Sequence, residues 1–139
     1  MKRLIVLLLA LAVLAGLGEG VTSKAAPASI SIWTLWAGGE EANFKVVLAA
    51  FTARTGIEVT HVAQTSEGLK VALPAALMAG TAPADVACMP WAGLIKDLAK
   101  EGFLMEVTDL VDETEFSPDI LNWVTVDGVL YGVPYKVGI

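Results

Sequence analysis

The chain alternates between two hydrophobic periods. Ile30, Ile32 and Thr34 fall on one side of an extended segment, with Ser31, Trp33 and Leu35 on the other. Apolar bulk on both faces is what a strand covered on two sides requires, so residues 30–36 are predicted as a strand with Trp33 in the core. Gly38-Gly39 then turns the chain, and Glu40 and Glu41 place negative charge where a helix begins. Phe44, Val47, Leu48 and Phe51 recur at helical spacing, Arg54 suits a last turn, and Gly56 closes it. Residues 57–62 return to strand. Ser66 is the candidate cap of a second helix carrying Leu69, Leu73 and Leu77, ended by Gly80. Pro74 inside that helix lacks an N–H and collides with the carbonyl four residues back, which predicts a kink or a late start. Residues 85–89 read as a short, wholly buried third strand. Pro90 and Trp91 open a third helix with Leu94, Ile95 and Leu98 inward, closed by Gly102.

Strand and helix thus alternate three times, the pattern of an α/β domain with a largely parallel sheet flanked by helices and joined by right-handed crossovers. The remainder departs from it. Residues 106–115 are acidic, with Leu110 and Val111 between the charges, and Ser117-Pro118 reads as a cap followed by proline in the first helical position. Asp127-Gly128 between two apolar runs signals a two-residue hairpin, and residues 132–139 look like a strand.

The head of the chain changes the picture of where it works. Lys2 and Arg3 precede an unbroken run of apolar residues and glycine over residues 4–17, then small and polar residues. This order is that of a secretory leader, and the run is shorter than the roughly 20 residues of a membrane-spanning helix. Ser23-Lys24-Ala25 fits a small-x-small cleavage site, which makes residues 1–25 a signal peptide and Ala26 the first mature residue. Without that segment 6 basic and 14 acidic residues remain, a net charge of −8. So acidic a chain is a poor nucleic-acid binder, since phosphate affinity comes from Lys and Arg. Cys88 is the sole cysteine, which excludes an internal disulfide and a cysteine zinc site, and its apolar neighbours predict a buried, inert thiol. His61 is the sole histidine, and no Gly-x-Ser-x-Gly elbow is present, so a secreted α/β hydrolase would have to rest on His61 alone. The acidic run lacks the ligand spacing and central glycine of a calcium loop, and no phosphate-cradling pattern follows Gly38-Gly39. No catalytic group, metal or cofactor is expected.

In open α/β sheets, ligands bind beyond the carboxyl ends of the strands. The segments so placed are Trp36-Ala37-Gly38-Gly39-Glu40, Met89-Pro90-Trp91 and, more weakly, the stretch from Gln64. Trp36, Gly38, Gly39, Glu40, Gln64, Met89 and Trp91 are therefore the candidate ligand residues. An aromatic plane covers the C–H face of a sugar ring, glycines admit a ligand close to backbone, and Glu40 and Gln64 can bond hydroxyls. The bland alternative is that the tryptophans pack in the core and Glu40 only complements the helix dipole. Asp85 is expected to bond nearby backbone, and Tyr131 and Tyr135 stand close enough in sequence to the end of the region to be further candidates.

Five phrases stand in order: the leader with "ISIWTLW", then "FTARTGIEV", "LMAGTAPADVACM", "LIKDLAKEGFLMEVTDLV" and "VDGVLYGVPYKVG". Together they resemble the extracellular solute-binding proteins of family 1, which include maltose-binding protein and other sugar receptors of ABC importers. The resemblance implies a periplasmic binding protein fold of type II, in which ligand sits between two lobes and the closed form is read by membrane permease subunits. On that reading residues 26–139 are the N-terminal lobe alone, incomplete and truncated near the hinge. The chain is then a monomeric, non-enzymatic receptor for a carbohydrate outside the cytoplasmic membrane. A polyamine or another small solute is the nearest alternative ligand class. Pro74 departs from the uninterrupted helix usual in the family.

Overall fold

The structure, a computed structural model, describes residues 28–135. The predicted leader and the last four residues of the predicted final strand lie outside the described residues. Strand β1 (Ser29–Thr34) forms the centre of a three-stranded parallel sheet in the order β2-β1-β3. Its neighbours are β2 (Glu58–Ala63), paired along its whole length, and β3 (Val86–Ala87), paired with Ile32 and Trp33. Helix α1 (Gly39–Thr55) makes the first crossover. A π-helical turn (Gly68–Ala72) running into α2 (Leu73–Met78) makes the second. Helix α3 (Ala92–Lys100) follows β3, and after two short 3-10 turns and α4 (Pro118–Leu121) the described chain ends with the hairpin β4 (Thr125–Val126)–β5 (Val129–Leu130).

The parallel sheet and its alternation with helices follow the hydrophobic pattern. The hairpin does too: Asp127 and Gly128 both take positive φ, 50° and 83°, as a type I′ turn demands. The buried apolar side chains among the described residues are Leu69, Leu73, Leu98, Ala99, Val124 and Leu130. They come from the second crossover, α3 and the hairpin region, so the core lies on the β3 side of the sheet. The hairpin is tied in by Val107 N–H donating to the Leu130 carbonyl and Tyr131 N–H to that of Val124.

Four local expectations are corrected. The third strand is two residues long rather than five, and Val86 is exposed. Cys88 N–H still donates to the Trp33 carbonyl at 2.8 Å, but Pro90 has no N–H to continue the ladder. Helix α1 buries none of its residues, and Val47 of the expected stripe is 60% exposed. This helix packs against β2, an edge strand, so part of its apolar face overhangs the sheet. The second helix is capped by Thr65, not Ser66: the Thr65 hydroxyl accepts from Gly68 N–H at 3.0 Å. Finally, residues 132–135 are irregular rather than a strand.

Pro74 is accommodated by the π turn. Leu73 N–H reaches back five residues to the Gly68 carbonyl, and α2 begins there with Pro74 in its first turn. The wider turn moves the carbonyl of Lys70 off the proline ring, and an N–H that proline lacks is not missed at a helix start.

Candidate ligand-binding rim

All three parallel strands run the same way, so the segments after β1, β2 and β3 emerge at one edge of the sheet. The predicted residues are brought to that rim. Trp36, Gln64, Met89 and Trp91 are half-buried there, and Gly38, Gly39 and Glu40 are exposed. Trp33, predicted as core, is half-buried within β1.

The Trp36 segment is built from β1 outward. Thr34, the last strand residue, is fully buried, and its hydroxyl accepts from Trp36 N–H at 3.0 Å, which bends the chain out of the strand. The Trp36 ring meets Phe44 of α1 edge-on, with centroids 4.5 Å apart, and Tyr135 likewise at 5.2 Å. Such edge contacts hold an aromatic plane more firmly than area alone. Gly38 follows with φ 60° and ψ −124°, a backbone region closed to residues with a Cβ. Gly39 opens α1 in a common conformation, and a side chain on it would meet nothing within 4 Å. The space over Gly39 is therefore free for a ligand, and crowding is not the reason for a glycine there.

The segments after β2 and β3 meet each other. Lys70, in the π turn, places its ammonium 4.4 Å from the centroid of the Trp91 ring, a cation–π contact. Gln64 lies against the backbone of Gly68, where an added Cβ would come within 2.7 Å of its Oε1. The crossover after β2 thus carries Lys70 across the rim to the segment after β3.

The charges at the rim have identified causes. A 2.6 Å ion pair with Lys45, with a smaller contribution from His61, holds Glu41 below the usual carboxylate range. Asp85 is also held low, because its Oδ2 accepts from Ser31 N–H at 2.7 Å and from the Ser31 hydroxyl at 2.8 Å. Asp85 thereby bonds nearby backbone as expected, and ties the approach to β3 onto β1. Burial pushes the Cys88 thiol up. Burial pushes Tyr135 up as well, helped by Cys88 and Glu40. A groove of about 550 Å³ along α1 and β2, lined by Lys45, Leu48, Thr52 and Val59 among others, contains none of the predicted rim residues. No group of three or more metal-ligating side chains occurs among the described residues.

Phe44, Lys70, Thr34 and His61 support the rim and were not singled out for that by the sequence. Phe44 was legible only as part of a helix stripe.

A family profile of bacterial extracellular solute-binding proteins matches residues 37–138. The chain belongs to that family. Among curated relatives, an uncharacterized ABC transporter extracellular-binding protein of Pyrococcus horikoshii is 37% identical over 101 residues, which are 72% of this chain and 24% of that protein. An alpha-glucosides-binding periplasmic protein of Rhizobium meliloti is 33% identical, over 80% of this chain and 26% of its own length. Among solved structures, an ABC transporter-associated binding protein from B. animalis subsp. lactis in complex with β-1,6-galactobiose superposes with a TM-score of 0.63 at 27% identity, covering 78% of this chain and 26% of that one. This solute-binding chain therefore spans about a quarter of the length of the relatives it matches. Its fold is that of periplasmic binding proteins. Among the described residues no helix is long and apolar enough to cross a membrane.

Proposed function

We propose that this chain forms the first lobe of a carbohydrate receptor that works outside the cytoplasmic membrane and hands its ligand to an ABC permease. Residues 1–25 serve as its leader, and the lobe presents one wall of the ligand cleft. The observation that carries this reading is that Trp36 and Trp91 follow two parallel strands that end on the same side of the sheet, each ring braced by other side chains. Two aromatic planes beside free backbone at Gly39 suit sugar rings, whose C–H faces stack while hydroxyls bond Gln64 and Glu40. The Lys70 ammonium over Trp91 opposes a polyamine at that position, since like charges would be brought together. The sugar-binding relatives point the same way.

Calorimetric titration of the mature gene product with maltotriose and β-1,6-galactobiose tests it. Binding of at least one is expected, with affinity reduced tenfold or more (about 1.4 kcal/mol) by Trp36→Ala and by Trp91→Ala. Heat from neither sugar would remove the carbohydrate reading. Binding that both alanine variants leave intact would remove this rim as its site.

A further inference from the structure

His61 stands on β2, and its side chain is 2% exposed. Its Nε2 lies 2.7 Å from the Thr34 hydroxyl oxygen, its ring packs edge-on to Phe44 at 5.5 Å, and its Nδ1 faces the Glu41 carboxylate at 3.7 Å. Nδ1 has no hydrogen-bond partner within range. The Thr34 hydroxyl carries one proton and two lone pairs. One lone pair already accepts Trp36 N–H. The other lone pair and the proton remain for Nε2, so the hydroxyl can pair with the ring in either tautomer, while Nδ1 faces the Glu41 carboxylate.

Two of the groups that hold Trp36, the Thr34 hydroxyl and the Phe44 ring, therefore both contact one imidazole. The hydroxyl that bends the chain at Trp36 is aligned by His61 Nε2. The phenyl ring that meets Trp36 edge-on also meets the His61 ring. Helix α1, which carries that phenyl ring, carries Glu41 facing the other nitrogen. Thr34 is fully buried, so its hydroxyl has no water to turn to if the imidazole is lost. We propose that His61 is a positioning residue for the ligand wall: through the Thr34 hydroxyl and the Phe44 ring it sets where Trp36 stands. The part of this that concerns sugar affinity rests on the carbohydrate reading above; the part that concerns the ring does not.

The test separates the two. The mature protein is labelled with 5-fluorotryptophan, and the Trp36 fluorine resonance is assigned by its loss in Trp36→Phe. His61→Leu and Thr34→Val are each expected to move it, the pair together no further than the larger single change. His61→Gln, whose amide oxygen can accept the Thr34 proton, is expected to bring it back toward the wild-type position. The Trp123 resonance, from the segment before the hairpin, stays put in all of them. A Trp36 resonance that does not move, a shift that His61→Gln fails to reverse, or equal movement of all four tryptophans would each overturn the proposal. With maltotriose as probe, His61→Leu and Thr34→Val should each lower affinity at least fivefold in the wild-type background and leave it unchanged in Trp36→Ala. Equal losses in both backgrounds would count against positioning. If wild-type protein takes up no sugar, the carbohydrate reading falls and the fluorine spectra alone decide the role of His61.

Discussion

Asp85 shows how a single residue can fold the rim and be read in solution. Its carboxylate accepts two bonds from Ser31, on the strand next door, and these bonds favour the ionised form. Its pKa is thus lower folded than unfolded. The stability this contributes is fully present above the ordinary carboxylate value near 4 and is lost as pH falls through the lower, folded value. Melting temperatures followed from pH 6 to pH 2.5 should show a drop that Asp85→Asn flattens and that Ser31→Ala, which keeps the backbone bond, flattens only in part. A profile unchanged by either substitution would show that the contact adds nothing to folding. Much of the candidate rim was legible at this scale. Trp36 and Trp91 stood out because aromatic residues directly after a strand and beside glycine or proline have few reasons to be there. The pairing of Thr34 with His61 did not stand out, because a threonine in a strand is common and a hydrogen bond across 27 residues leaves no local trace.

Helices and strands differ in how much of themselves the sequence displays. The order β1–α1–β2–α2–β3–α3 and the hairpin were readable because each rests on a local period or a fixed turn residue. The length of β3 was not, since it depends on how many partners β1 still offers and on Pro90. The π turn was not either; Pro74 announced a disturbance but not its form. That form has a use, because one extra residue in a turn rotates the preceding side chains by about 100° relative to those that follow. Lys70 comes to face Trp91 in this setting. Pro74→Ala should let the segment relax into a continuous α-helix with a net stability change within about 1 kcal/mol, because the proline is already accommodated at a helix start and removing it frees the unfolded chain. It should also carry Lys70 off the indole. The ε-methylene protons of Lys70, shifted upfield by the Trp91 ring in the wild type, would then move to ordinary positions. Methylene shifts that stay upfield would mean that the proline does not impose the π turn.

The whole domain is unevenly anchored. Its buried side chains come from the second crossover, α3 and the hairpin, whereas α1 contributes none and exposes Val46 and Val47 at 70% and 60%. Amide exchange should therefore be fastest among the regular elements in α1 and slowest around Leu69, Leu73 and β1, since opening free energy tracks local burial. Equal protection across all of them would show that α1 is held by more than its contacts with β2. The sequence could not reveal this imbalance, because the Phe44–Phe51 stripe looks the same whether or not anything covers it.

The loose seat of α1 matters beyond its own stability. Phe44 braces Trp36, and Glu41 faces His61, so each time the helix lifts, the aromatic plane loses its backing. Under the proposed reading, a ligand would then meet two populations, one with the plane set and one without, and its apparent dissociation constant would be the intrinsic one divided by the fraction that is set. Whatever presses α1 onto the sheet would raise affinity without touching the ligand.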